Sequence, residues 1–103
     1  MKLIRELEDL IEEEIHDVKK YAKLAAELKD EYPMLAQVLY TLSTQEDNHQ
    51  MALHAEVVKI IDQHRKMHGE PPEAMMAVYE YLHKKHIEKM ADARRYQEMY
   101  QCR

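Results

Sequence analysis

Glu46 and His49 stand three positions apart in TLSTQEDNHQMALH, residues 41–54. On a helix that spacing projects both side chains from the same side of adjacent turns, so a carboxylate oxygen and an imidazole nitrogen can reach one ion. Such a donor pair suits iron, manganese or zinc. Alone it is a weak signal, because an ordinary polar layer with water would use the same residues.

Glu14 strengthens it. At about 100° per residue, Glu14 shares a stripe with Leu3, Leu7, Leu10, Val18, Tyr21, Ala25 and Leu28. Glu46 and His49 fall on a second stripe with Leu35, Leu39, Leu42, Leu53, Val57 and Ile60. Glu14 lies about 17 residues before a turn near residues 31–32, and Glu46 and His49 about 15 and 17 after it. Folding the two segments back on each other predicts that all three groups come level. A buried carboxylate without a partner costs several kcal/mol, and two adjacent ones oppose each other's ionisation. No Lys or Arg shares either stripe near that layer, so a divalent cation is the expected counter-charge.

The elements that must position these groups are helices. Glu, Lys, Ala, Leu, Met and Gln fill the 103 residues, with one Gly, three Pro, no Phe and no Trp. Sheets need more turn-forming, β-branched and aromatic residues than this. The periodicity predicts one all-α domain with long helices over about 2–30, 33–67 and 72–100. DEYPM and HGEPPE separate them: Pro33 suits a first helical turn, Gly69 a left-handed cap, and Pro71–Pro72 block continuation. Such short connections predict an antiparallel, up-down-up arrangement, about 45–50 Å long.

Other function classes recede. The chain carries 20 Asp+Glu against 15 Lys+Arg, net −5, which argues against a nucleic-acid partner. Residues 1–31 hold ten acids and six bases, an end that could draw in cations. Cys102 is the single cysteine, so no disulfide framework or cysteine-based metal site is expected. No run approaches the roughly 20 apolar residues of a membrane span. MKLIRELEDL is amphipathic and acidic, unlike a signal peptide, so the expected location is the cytoplasm.

Glu14 with Tyr21 seven residues on, followed about thirty residues later by Glu46-x-x-His49, resembles one half of a ferritin-like di-iron carboxylate protein. Rubrerythrins and encapsulated ferritins are the nearest relatives this pattern suggests, and it covers residues 7 to 57. In that superfamily two glutamates and two Glu-x-x-His pairs from four helices hold two metals. The third helix here does not repeat the motif: Glu88 in EYLHKKHIEKM falls on the face opposite its apolar stripe. The HGEPPE turn is also too short for the ferritin crossover. The resemblance therefore implies a half-bundle completed by dimerisation, a homodimer or higher homo-oligomer that shares an iron site, with Glu14, Glu46 and His49 as ligands. It implies ferroxidase chemistry, in which Fe(II) is oxidised by O2 or peroxide. The tail YQEMYQCR does not resemble the Gly- and Leu-containing peptide that directs cargo into encapsulin shells.

Alternatives stay open at this point. A rubrerythrin-like peroxide reductase normally carries a four-cysteine module, so this chain would need electrons from a partner. A metal-free helical dimerisation module is a reading from a different class. Tyr21 could donate to the metal glutamates or simply fill the core. His86, central on the third stripe with Tyr79, Leu82 and Met90, and His83 at its edge could be extra ligands or core histidines. His64 and His68 sit where imidazolium meets a helix C-terminus.

Overall fold

The computed structural model describes residues 2–102. It is all-helical, with α1 over Lys2–Leu28, α2 over Pro33–His68 and α3 over Glu73–Gln101, and no strand among the described residues. The domain is 56 Å long and under 20 Å in its other two dimensions. That length is about what the 36 residues of α2 span at 1.5 Å each.

The helix ends differ from the expected ones by one or two residues, for local reasons. α1 closes at Leu28, whose carbonyl accepts from the amide of Tyr32 at 2.8 Å. Pro33 starts α2, and the carbonyl of Tyr32 takes the Ala36 amide at 2.8 Å. At the other end Gly69 caps α2 with φ +79°, donating to the Arg65 carbonyl at 3.0 Å. A side chain rarely adopts that φ, and glycine carries no penalty there. Arg65, Lys66 and His68 in the last turn lie toward the negative end of the helix dipole. Pro72 then caps α3.

α1 packs extensively on both other helices, while α2 and α3 meet at few points. The main core gathers Ile4, Ile11, Ile15 and Val18 of α1, Val57 and Ile61 of α2, and Met90 and Ala93 of α3. Burying each large aliphatic side chain contributes about 1.5–3 kcal/mol. A second cluster of Ala25, Ala36 and Leu39 lies nearer the α1–α2 turn, flanked by Tyr21, Leu28, Tyr40 and Tyr100. Ser43 ties the layers together. Its hydroxyl donates to the Val18 carbonyl at 2.7 Å and accepts from Gln97 Nε2 at 3.0 Å, so one buried oxygen touches all three helices.

This burial corrects the stripe expected for α1. Val18 and Ala25 are buried, but Leu3 and Leu10 are 48% and 45% exposed. The covered face is instead Ile4, Glu8, Ile11, Ile15, Val18, Ala22 and Ala25, rotated by about one residue, or 100°. On α2, Leu39 and Val57 are buried, whereas Leu35 and Met67 are exposed. The apolar arc of α1 is wider than two neighbouring helices can cover, so one margin of it stays open.

Candidate metal centre

Glu14 projects from α1 at that open margin, and Glu46 and His49 project from consecutive turns of α2 across the seam. One donor atom from each lies within 4.8 Å of the others. Nδ1 of His49 is 3.5 Å from Oε2 of Glu14 and 3.7 Å from Oε2 of Glu46. These separations exceed good hydrogen-bond lengths and leave room for an ion. Oε2 of Glu14 is buried and has no hydrogen-bond partner among the described residues.

The group is less enclosed than its sequence position suggested. The Glu14 and Glu46 side chains are 26% and 20% exposed, and that of His49 is 59% exposed. It sits at the rim of the core because no fourth helix covers this face of the α1–α2 pair. The donor set fits a hard or borderline divalent cation: two carboxylates supply charge and one imidazole supplies nitrogen. Three residues leave coordination positions for further ligands.

No match to this chain came from protein-family models, curated proteins or solved structures.

Tyr21, His83 and His86 are not among the converging donors. Tyr21 packs beside the Ala25–Ala36–Leu39 cluster. His86 is buried on α3, with Nδ1 3.1 Å from Oε2 of Glu8. His83 stacks between His54, at 4.6 Å and 7°, and Tyr79, at 5.9 Å and 9°. Burial, reinforced by the neighbouring His83 and His86 and partly opposed by Glu8, holds the imidazole of His54 below its usual range. The rings of His64 and His68 are tilted by 55° at the end of α2, with centroids 5.2 Å apart.

Glu8 is the residue that the sequence reading missed. It is 3% exposed and falls in the run Ile4–Glu8–Ile11–Ile15. Following the isoleucines rather than the leucines of α1 finds it, since β-branched residues mark the covered side here.

A concavity of about 900 Å³ lies elsewhere, between α1 and α3, and includes none of the three donors. Its walls are ion-paired: Lys89 and Lys85 reach Glu12, and Lys19 meets Asp92 at 2.8 Å. The Lys89 hydrogen bond holds the Glu12 carboxyl below its usual range. The lining holds five acids, Asp9, Glu12, Glu13, Asp17 and Asp92, against Lys19 and Lys89, so the groove is an acidic face that is only partly ion-paired.

Proposed function

We propose that Glu14, Glu46 and His49 form half of a ferritin-like di-iron centre, which the same three residues of a second copy complete, and that Fe(II) is oxidised there by O2 or peroxide. The observation that carries this reading is the convergence of three donor atoms within 4.8 Å from two helices. Oε2 of Glu14 supports it: the atom is buried with no hydrogen bond, only the long 3.5 Å approach of His49 Nδ1, and leaving a buried carboxylate oxygen so is costly.

This reading takes the three helices as an up-down-up half-bundle, and the order of their contacts supports it. Val18 faces Ser43 and Glu14 faces His49, whereas Glu8 and Glu12 face His86 and Lys89 in ascending order. The open margin supports the second copy. Leu3 and Leu10 of α1 and Leu35 and Val38 of α2 are exposed and lie along the faces that carry Glu14, Glu46 and His49. A copy seated there would cover them and bring its own three donors to the seam.

In the mechanism the two carboxylates would bind and neutralise the incoming cations, and His49 would add an imidazole nitrogen that fixes their position. Two Fe(II) held there would each give up one electron, enough with two protons to reduce O2 to hydrogen peroxide or hydrogen peroxide to water. Half-burial of Glu14 and Glu46 keeps bulk water from one side of the site, while the exposed imidazole leaves an approach for ions. Manganese and zinc suit the same donors and would occupy the site without this redox chemistry. A cytoplasmic location accords with the single cysteine, and no described helix is long and apolar enough to cross a membrane.

Replacing Glu46 with Ala should abolish oxygen-dependent Fe(II) consumption above the buffer background, and unchanged consumption would refute the assignment. The exposed apolar margin also supports a second reading, a metal-free dimerisation module. Iron raises the melting temperature only if it binds the folded state, so identical melts with chelator and with iron would favour that module.

A further inference from the structure

We propose that the cavity between the N-terminal halves of α1 and α3 binds a small organic molecule with an apolar body ending in one protonated amine, which Glu8 receives. The site shares no residue with Glu14, Glu46 and His49, and it stands whether or not those three bind iron.

The cavity follows from how α3 begins. Pro72 and Ala74 are small, so the start of α3 leaves space beside the first two turns of α1. Its volume of about 450 Å³ falls within the roughly 300–1,000 Å³ of small-molecule pockets. Ile4, Met75, Val78 and Leu82 make most of the wall apolar, and Glu8 is the acid on it. Such a lining, apolar with few polar groups, is what fixes the orientation of a bound small molecule.

Glu8 is only half satisfied by the protein. It is 3% exposed, Oε2 stands 3.1 Å from Nδ1 of His86, and Oε1 has no hydrogen-bond partner among the described residues. Polar atoms buried to this degree are normally paired. Glu8 borders this cavity, whereas His86 borders the furrow between α2 and α3. The carboxylate therefore stands between the imidazole and the cavity, with Oε1 left for an occupant. Tyr79, also on the wall, places the charge at the same end: burial and then the charge of Glu8 push its phenol up, with Arg65 opposing.

An ionised carboxylate accepts hydrogen bonds and donates none, so the occupant must bring an N–H or O–H. A cationic donor bonds a carboxylate about twice as strongly as a neutral one, which selects an ammonium over a hydroxyl. Arg5, the cation on the wall, is exposed. Its charge is screened by solvent, while that of buried Glu8 is screened much less.

The test uses the full chain with chelator present, so its outcome is independent of metal binding. Phenylbutylamine, phenylbutanol and phenylbutyrate share one apolar body and differ in the head group. Each is titrated by calorimetry and by two-dimensional amide NMR. The amine should bind most tightly, with the alcohol about tenfold weaker and NMR shifts centred on residues 4–8 and 72–82. Glu8→Gln should lower the affinity for the amine about tenfold, to that of the alcohol, with helicity retained. If that variant does not fold, Val78→Trp, at a wall position that is 55% exposed, fills the cavity and should abolish binding. No binding of the amine at millimolar concentration, an affinity unchanged in whichever variant folds, or tighter binding of phenylbutyrate than of the amine overturns the proposal.

Discussion

Glu8 and Glu14 occupy the same helix but face different surroundings. Glu8 points into the three-helix core at 3% exposure, and Glu14 stands at the α1–α2 rim with its side chain 26% exposed. Six residues on a helix correspond to a rotation of about 240° net of full turns, enough to direct one carboxylate at α3 and the other at α2. One helix thereby presents one acid to His86 of α3 and another to His49 of α2.

The buried Glu8–His86 contact predicts strong coupling. In metal-free protein, Glu8→Leu or His86→Leu alone strands the other polar group and should cost about 1–3 kcal/mol. The double replacement should recover most of that loss, because buried polar pairs exchange for apolar ones at little cost. A urea-unfolding double-mutant cycle measures the coupling, and simple additivity of the two losses would contradict it.

Ser43 predicts a second loss of stability. Its hydroxyl satisfies the Val18 carbonyl and receives Gln97, so Ser43→Ala should cost about 1–3 kcal/mol by leaving buried groups unpaired. Chemical denaturation should register the loss as a lower midpoint with an unchanged slope.

Stability should fall on acidification through the imidazole range. His54 is held below its usual value in the folded state, chiefly by burial and then by His83. Between its folded and unfolded values the unfolded chain binds more protons, so stability rises with pH there and declines as pH drops below about 6.5. His54→Phe should flatten that part of a thermal-melt series. An equally steep slope in the variant would assign the effect to other groups.

The open margin should govern self-association. Leu10→Lys with Val38→Lys places charge on two exposed apolar positions and should leave monomer stability within about 0.5 kcal/mol. Sedimentation should show the native chain as a dimer and the double variant as a monomer with unchanged helicity. A native chain that is already monomeric with iron present would remove the shared-site reading.

Gly69 offers a backbone test. At φ +79° and ψ −167° it occupies a region that is essentially glycine's alone. A methyl group there would meet no atom within 4 Å, so the expected cost of Gly69→Ala, about 1–3 kcal/mol, is conformational rather than steric. Calorimetry should detect it as a lower melting temperature.

Local chemistry along the chain settles most of the architecture. Helix-forming composition, Pro33, and the Gly69–Pro71–Pro72 break place the three helices within a residue or two of their observed ends, because backbone preferences act between near neighbours. Counting outward from the first turn also brings Glu14 level with Glu46 and His49, since a short connection leaves two long helices little choice of register.

The rotation of α1 is different in kind. Leu3–Leu7–Leu10 and Ile4–Ile11–Ile15 are both apolar stripes, and β-branching is the one local feature that separates them. Packing against two helices at once buries the isoleucine side and leaves the leucine margin open. That rotation carries Glu8 into the core and Glu14 to the rim. It pairs His86 with Glu8 and His83 with His54, contacts between residues 78 and 29 positions apart, whose formation depends on how three cylinders share a finite contact area.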